Sequence, residues 1–352
     1  MPRRLDPAVF DLPVDAMRSG RYSDKYFLRT RQVLVDDGHR PLVVMQVFSK
    51  ASAWLCGIDE AIAVLKLVSH DWSALEVHAL YDGDAVSPHE TVMTIKGPYD
   101  VFAELETIYL GILARRTRIH TQTHRVVESA NGKDVLYFPA RHDHWSIQEG
   151  DGYAACLAGA SGVSTDAQGA WWEAEGVGTI PHALIAAYGG NTVLAARKYV
   201  EHVPESMNLV VLVDFDNDSV KTSLDVAQAL GHRLYGVRLD TSESLVDVSL
   251  AGDGDTDQLR GVNPALVRNV REALDAHGHQ DVRIVVSGGF DVDKIRRFED
   301  EAVPVDVYGV GSSLVRNAGG FDFTADIVEV DGQPAAKVGR ALNRNDRLEL
   351  VS

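Results

Sequence analysis

The first third of the chain alternates between two hydrophobic spacings. Apolar residues recur every three or four positions in some stretches, which predicts amphipathic helices. Elsewhere they form short runs bounded by Asp-Gly and Ser-Pro turns, which predicts strands. The predicted helices are 24–38, 53–68 and 101–121, and the predicted strands are 41–48 and several short ones within 75–97.

A regular order of strand followed by helix begins near residue 134. The predicted strands are 134–141, 208–216, 233–240, 282–289 and 305–313, and the predicted helices are 153–157, 219–232, 264–278 and 291–301. Repeated units with strongly apolar strands predict a parallel sheet covered by helices, most simply an α/β barrel.

The last patterned stretch, 321–340, is typical of a hairpin turning at Asp331–Gly332. We expect it to return to the first part of the chain rather than to extend the barrel. The predicted organisation is therefore an N-terminal α/β domain, residues 1–130 plus 317–352, and an α/β barrel domain, residues 131–316.

Composition narrows the class of protein. The formal net charge is -17 and no block of Lys and Arg occurs, so nucleic-acid binding is not expected. Only Cys56 and Cys156 are present, which fits a reduced compartment and excludes a multi-cysteine zinc site. The N-terminus has no apolar signal core, and the longest apolar runs, such as 42–48, are strand-sized. We expect a soluble cytoplasmic protein without a membrane segment.

Glycine and serine follow the last two predicted barrel strands. The first strand ends in Ser287, Gly288 and Gly289, and the second in Gly309, Gly311 and Ser312. In α/β barrels these late loops often bind a phosphate through backbone amides, and glycine permits a close approach. Tight turns without a ligand would have the same composition, but two such loops in succession favour a phosphate site.

The two strands before these end in acidic residues. Asp214 and Asp216 follow one strand, where alternation predicts that they share a face, and Arg238 and Asp240 end the next. Such carboxylates suit Mg²⁺ held together with substrate phosphates, and they equally suit a ribose diol. Asp218 is better explained as a helix N-cap.

Two further positions carry candidate chemistry. Arg141 ends another strand and could bind a carboxylate or phosphate, whereas His142 and His144 lack a third metal ligand at recognisable spacing. His182 follows Pro181, a residue favoured at helix starts, so it falls in a first helical turn. From the residues alone, His182 is either a packed histidine or a nucleophile toward phosphoryl groups.

Three stretches resemble one known family, the nicotinate phosphoribosyltransferases within the type II phosphoribosyltransferases. They are "VMTIKGPYDVFAELETIYLGILARRTRIHT" (92–121), "GASGVSTD" (159–166) and "GTIPHALI" (178–185), and the resemblance extends from residue 23 to residue 314. It implies a split N-terminal α/β domain packed on an irregular α/β barrel. It also implies that nicotinate attacks C1 of phosphoribosyl pyrophosphate, giving nicotinate mononucleotide and pyrophosphate in NAD salvage.

The resemblance assigns roles to the matching positions. The residues implied to bind substrate are Asp24, Tyr26, Arg141, Ser161, Ser164, Thr165, Arg238, Gly288, Gly289, Gly309 and Gly311. The residues implied to be catalytic are His182, Asp214 and Asp240, of which the two acids would also bind Mg²⁺.

The family also implies partners and a co-substrate. Tyr26 matches an aromatic residue that stacks on the pyridine ring from the neighbouring subunit, which implies a homodimer with shared active sites. His182 matches the residue that becomes phosphorylated in ATP-coupled members, so ATP is an expected co-substrate.

Three alternatives remain. A quinolinate phosphoribosyltransferase would decarboxylate its base, need no ATP, and require several cations for two carboxylates. An aldolase- or isomerase-like barrel would require a Lys or Glu base at a strand end, but Lys221 and Lys294 fall in predicted helices. A non-catalytic phosphoribosyl-binding protein would not require the set Asp214, Arg238, Asp240 and His182 together.

Overall fold

The computed structural model describes residues 4–205, 207–253, 257–317 and 319–351. The chain forms two compact units. The first comprises Met1–Gln122, Tyr153–Ala158 and Asn317–Ser352, and the second comprises Thr123–Gly152 and Gly159–Arg316. Each contains one six-stranded sheet.

The helices and strands follow the order expected from the hydrophobic pattern. The described α-helices are α1 Val14–Arg18, α2 Lys25–Asp36, α3 Ile58–Val68, α4 Glu106–Ser129, α5 Gln148–Leu157, α6 Asp166–Gly169, α7 His182–Ala187, α8 Thr192–His202, α9 Ser219–Leu230, α10 Pro264–Ala276 and α11 Val292–Asp300. The described strands are β1 Leu42–Ser49, β2 Ala53–Trp54, β3 Glu76–Ala79, β4 Ala85–Val86, β5 Thr91–Pro98, β6 Asp134–Tyr137, β7 Gly162–Val163, β8 Leu209–Leu212, β9 Leu234–Leu239, β10 Arg283–Val286, β11 Val307–Val310, β12 Phe323–Val330, β13 Gln333–Pro334 and β14 Glu349–Leu350.

The sheet of the first unit is antiparallel, in the order β13-β12-β1-β5-β3-β14. Its central strands bury side chains such as Val47, Met93 and Ile95, and α3 and α4 contribute Leu65 and Tyr109 to the same core. Burial of this apolar surface is the main stabilising contribution to the unit.

The predicted hairpin at Asp331–Gly332 is present. Val330 pairs with Gln333, and both turn residues have positive φ, 50° for Asp331 and 75° for Gly332. This is the conformation that a two-residue hairpin requires and that Asp-Gly adopts readily. β12 then pairs with β1 along most of its length.

The sheet of the second unit is parallel, in the order β7-β6-β11-β10-β9-β8. Its strands are short and mostly buried, as expected when helices cover a parallel sheet. The mixed α/β fold predicted from the sequence, with a separate N-terminal domain, is therefore confirmed, and the predicted barrel is a curled parallel half-barrel.

A short segment joins the two edges of this parallel sheet. The amide of Val177 donates to the carbonyl of Val163 in β7, and the amide of Ile180 donates to the carbonyl of Val210 in β8. Ile180 also forms an isolated parallel bridge with Val211. The sheet is closed by a connection between α6 and α7, a region with no strand pattern in the sequence.

None of the described helices combines the length and the apolar character needed to cross a membrane.

Candidate active site

A cavity of about 730 Å³ lies where the strands of the parallel sheet end. The carboxyl ends of parallel strands are the usual location of ligand sites in α/β folds. Ten of the predicted site residues line it: Arg141, Ser164, Thr165, His182, Arg238, Asp240, Gly288, Gly289, Gly309 and Gly311.

The turns after β10 and β11 present free backbone donors. The amides of Gly288, Gly289, Gly311 and Ser312 donate to no other described residue, and all four residues line the cavity. Gly288 and Gly289 have φ of 86° and 68°, a conformation that residues with a side chain rarely adopt. Unpaired amides in the wall of a cavity are the groups from which proteins build anion sites.

Gly309 and Gly311 are required for a different reason. A Cβ on Gly309 would lie 2.9 Å from Cε2 of Phe138, and a Cβ on Gly311 would lie 2.9 Å from Cε1 of His142. The loop after β6 therefore packs its rings directly against the turn after β11. The groups that closely approach these two glycines are therefore the side chains of Phe138 and His142, not a ligand.

The guanidinium of Arg238 is fixed by hydrogen bonds from each of its three nitrogens. In β9, its Nε donates to Ser287 Oγ at 2.9 Å and its Nη1 donates to Thr179 Oγ1 at 2.9 Å. Its Nη2 donates to Asp240 Oδ2 at 3.2 Å, and the guanidinium lies 5.5 Å from the centroid of the Phe138 ring. Such a network places a fixed positive charge at the wall of the cavity.

Asp240 and Asp214 follow adjacent strands, β9 and β8. Ser287 Oγ donates to Asp240 Oδ1 at 2.7 Å. The side chain of Asp214 is only 6% exposed, and its Oδ1 lies 3.0 Å from His182 Nε2. Burial raises the pKa of Asp214, and the hydrogen bond with His182 opposes that change.

His182 is the first residue of α7, as Pro181 predicted. Its side chain is 43% exposed and lines the cavity, so the packed-histidine interpretation is wrong. Only Pro181 separates it from Ile180, which is bonded to the edge strand β8. That connection brings His182 to Asp214.

The prediction that Asp216 shares a strand face with Asp214 is wrong. β8 ends at Leu212, and Asp216 lies exposed in the turn that follows. The explanation of Asp218 as a helix cap is confirmed, because its side chain accepts from the amide of Lys221 at 3.2 Å.

The loop after β6 carries Arg141, His142 and His144. No hydrogen bond or ion pair joins the Arg141 guanidinium to another described residue, and the side chain is exposed at the cavity. Burial, and then the charge of Arg141, lower the pKa of His142. His144 Nδ1 lies 2.8 Å from Ser146 Oγ. No three His, Cys, Asp or Glu side chains in the described ranges form a metal cluster.

The loop after β7 uses its polar side chains within the protein. Ser164 Oγ donates to Gln168 Oε1 at 3.0 Å, and Thr165 caps α6 by accepting from the amide of Gln168. Thr165 Oγ1 also donates to Gln148 Oε1 at 2.8 Å. Ser161, which immediately precedes β7, donates to the carbonyl of Val135 and is absent from the lining of the cavity.

Asp24 and Tyr26 belong to the first unit. Asp24 immediately precedes α2 and accepts from Thr107 Oγ1 at 3.0 Å. Tyr26, in the first turn of α2, is 60% exposed. Burial first, and then the charge of Asp24, raise the pKa of Tyr26. An exposed aromatic ring of this size is available to a ligand or a second chain.

Phe138 and Thr179 line the cavity but were not among the predicted site residues. Thr179 lies within the quoted stretch "GTIPHALI", so its neighbourhood carried a signal. In the sequence, Phe138 directly follows the apolar residues of β6, so nothing distinguishes it from a core residue of that strand. Both contact Arg238, which no local pattern reveals.

Two family models together match most of the chain. Residues 24–117 match the N-terminal domain of quinolinate phosphoribosyl transferase, and residues 119–326 match the C-terminal domain. Nicotinate phosphoribosyltransferase pncB1 of Mycobacterium tuberculosis strain H37Rv is 30% identical over 268 residues, which are 74% of this chain and 55% of that protein. The chain thus spans about half the length of this relative.

Solved structures show the same fold. The nicotinate-nucleotide pyrophosphorylase from Pyrococcus furiosus has a TM-score of 0.82 and 32% identity, covering 100% of this chain and 86% of that one. Human nicotinic acid phosphoribosyltransferase has a TM-score of 0.68 at 18% identity, covering 91% and 77% respectively. The second is a likeness of fold alone.

Proposed function

This chain belongs to the quinolinate phosphoribosyl transferase family, the type II phosphoribosyltransferases, and within that family we propose that it acts as a nicotinate phosphoribosyltransferase. The proposed reaction joins nicotinate to C1 of phosphoribosyl pyrophosphate, releases pyrophosphate and forms nicotinate mononucleotide in NAD salvage. It is coupled to ATP hydrolysis through a phosphohistidine.

The observation that carries the proposal is the set of four free amides in the turns after β10 and β11. Gly288, Gly289, Gly311 and Ser312 all line one cavity, and their amides have no acceptor among the described residues. A terminal phosphate has three acceptor oxygens and a negative charge, so it matches this set. The 5′-phosphate of the sugar donor is the group we assign to it.

One acid of the cavity and a neighbouring buried one fit a magnesium ion. Mg²⁺ is usually held by one or two carboxylates together with substrate phosphates. Asp240 lines the cavity, and Asp214, which is absent from its lining, lies behind His182 at the end of the neighbouring strand. When bound, the ion would neutralise charge on the departing pyrophosphate. Ser287 and Arg238 hold the Asp240 carboxylate, so its orientation is set before any ligand arrives.

The arginines of the cavity favour a pyridine substrate with one carboxylate over a substrate with two. Among the described residues that line it, the arginines are Arg141 and Arg238. Each of the three guanidinium nitrogens of Arg238 already donates to a protein acceptor. Arg141 is left for a substrate carboxylate, which a guanidinium binds in bidentate fashion. Nicotinate has one carboxylate and quinolinate has two.

The pairing of His182 with Asp214 supports ATP coupling. When Nε2 donates its proton to the carboxylate, Nδ1 keeps a free lone pair. The carboxylate fixes the ring and makes that nitrogen a better nucleophile. Phosphoryl transfer to Nδ1, with ADP as the leaving group, is the step we assign to it.

Catalysis at the sugar then depends on position and charge. The fixed guanidinium of Arg238 lies where negative charge of the pyrophosphate would collect, and a preorganised charge of this kind stabilises a developing anion. Tyr26, exposed on the first unit, would stack on the pyridine ring of a second chain's site, so the proposed assembly is a homodimer.

The deciding assay supplies the purified protein with Mg²⁺ and phosphoribosyl pyrophosphate. Nicotinate, nicotinamide and quinolinate are tested side by side, each with and without ATP. We expect turnover of nicotinate that ATP accelerates. Release of carbon dioxide from quinolinate, with no turnover of nicotinate, would overturn the proposal.

Quinolinate phosphoribosyltransferase activity is the second candidate. It is favoured by the two matching family models and by the name of the Pyrococcus furiosus relative, a nicotinate-nucleotide pyrophosphorylase. The quinolinate arm of the same assay tests it directly.

A further inference from the structure

The Gly288–Gly289 turn separates two cavities. Gly288 lines the large cavity already described, whereas Gly289 lines both that cavity and a second one of about 440 Å³. Lys294, on α11, lines the second cavity and is absent from the lining of the first. Its Nζ donates to the carbonyl oxygen of Gly288 at 3.0 Å. The Gly288 carbonyl is therefore directed to a lysine that lines the second cavity.

The direction of that carbonyl fixes the direction of one amide. A trans peptide is planar, so the C=O of Gly288 and the N–H of Gly289 point in opposite directions. With the carbonyl turned toward Lys294, the Gly289 amide points away from Lys294, and Gly289 lines the large cavity. This amide is one of the four assigned above to the phosphate.

The peptide needs an external restraint. Gly288 and Gly289 both have positive φ, and glycine moves between regions of φ/ψ space at little cost. A peptide with glycine on both sides can rotate so that its carbonyl, rather than its amide, faces the cavity. A carbonyl there would repel a phosphate oxygen.

We propose that Lys294 is a positioning residue that holds the Gly288–Gly289 peptide with its amide toward the sugar phosphate. The inference rests on the proposed function, because it concerns the phosphate of that substrate. Lys294 does not line the large cavity, so it would affect phosphate binding only through the orientation of this peptide.

The surroundings of Lys294 suit this role. The partly buried ammonium lies 4.4 Å from the centroid of the Phe290 ring, and the amide of Lys294 donates to Asp291, the N-cap of α11. Burial lowers the pKa of Lys294, Glu243 from the loop after β9 and Asp291 oppose the change, and Arg297 adds to it. The lysine is thus held at its backbone amide and at its ammonium group.

The test compares Lys294→Met, which removes the donor, with Lys294→Arg, which keeps one. Arg297→Met is the matched control, since Arg297 lies on the same helix, lines the same second cavity and contacts Glu301 rather than the turn. The first readout is the binding of ribose 5-phosphate by calorimetry. The second is the split between KM for phosphoribosyl pyrophosphate and kcat, with thermal unfolding as a folding check.

We expect Lys294→Met to weaken ribose 5-phosphate binding about tenfold, the loss that follows removal of one charge-assisted hydrogen bond. KM for the sugar donor should rise in parallel, with kcat and KM for nicotinate within about twofold, because the phosphate is bound equally in the ground and transition states. Lys294→Arg should recover most of the affinity, and Arg297→Met should match the wild type.

Two results overturn the inference in distinguishable ways. If the wild type binds ribose 5-phosphate and folded Lys294→Met binds it equally well, the role of Lys294 is wrong and the proposed function stands. If the wild type neither binds ribose 5-phosphate nor transfers phosphoribose, both fail. Should Lys294→Met not fold, Lys294→Gln, a neutral donor, carries the comparison and is expected to bind between the wild type and tenfold weaker.

Discussion

His182 Nε2 lies 3.0 Å from Oδ1 of Asp214, although the two residues are 32 positions apart in the chain. The pair joins the first turn of α7 to the residue two positions beyond β8. A half-exposed imidazole oriented by a buried carboxylate is an arrangement that activates a nucleophile.

Replacement of His182 should separate the ATP effect from the transfer itself. In His182→Ala we expect ATP to give no acceleration, because the acceptor nitrogen is gone, while turnover without ATP persists. The measurement is initial rate with nicotinate at several ATP concentrations, together with incorporation of label from γ-labelled ATP into the protein. His202→Ala, at the end of α8, serves as the control. Unchanged stimulation by ATP in His182→Ala would exclude the phosphohistidine role.

Arg141 should determine the preference for a pyridine substrate that carries a carboxylate. Arg141→Met is expected to raise KM for nicotinate roughly 10- to 100-fold, the loss of about 1.5–3 kcal/mol for a charge-assisted bond. Nicotinamide, which has no carboxylate, should be used no less well than by the wild type. Arg141→Lys should recover only part of the loss, since lysine cannot form the bidentate pair. Parallel losses with both bases would assign Arg141 a role other than carboxylate binding.

Gly309 should tolerate no side chain, in contrast to Gly178, which lines the same cavity. A Cβ on Gly309 would press on Phe138 at 2.9 Å, whereas one on Gly178 would meet no atom within 4 Å. We expect Gly309→Ala to lower the free energy of unfolding by about 1–3 kcal/mol, as overpacking does. The displaced Phe138 would also leave Arg238, so activity should fall. Denaturant unfolding and initial rates of the two alanine variants give the comparison; equal stabilities would contradict it.

Asp82 should make the stability of the protein depend on pH. Its carboxylate accepts from the amide of Ile58 at 2.7 Å and from the Tyr153 hydroxyl at 3.2 Å. Burial first, and then the charge of Asp59, raise the pKa of Asp82 to about 7. An acid whose pKa is raised by folding contributes stability below its unfolded pKa of about 4, and that contribution is lost as the pH rises through the folded value.

The variant Asp82→Asn keeps the shape and remains neutral at every pH. Relative to it, the free energy of unfolding of the wild type should fall by up to roughly 1.4 kcal/mol per pH unit between about pH 4 and 7. Urea unfolding of both proteins across this range is the measurement. Parallel stability curves would mean that Asp82 is ionised throughout.

Much of the fold followed from local patterns. The apolar runs ending in Val286 and Val310 had to be strands, and the Gly and Ser residues after them had to be turns. Pro181 placed His182 at a helix start, and Asp331–Gly332 required a hairpin. Periodicity and turn chemistry act over a few residues, so a sequence displays them directly.

The adjacency of the site residues was decided by the tertiary structure. Strand order brings Ser287 to Arg238, and the closing segment Val177–Ile180 brings Thr179 to the same guanidinium. The end of β8 at Leu212 leaves Asp214 inside and turns Asp216 out, against the alternation of the sequence. The sequence by itself determined which segments form strands, turns and helix starts. Which side chains meet depended on pairings between distant segments, because those contacts exist only once the sheet has curled and closed.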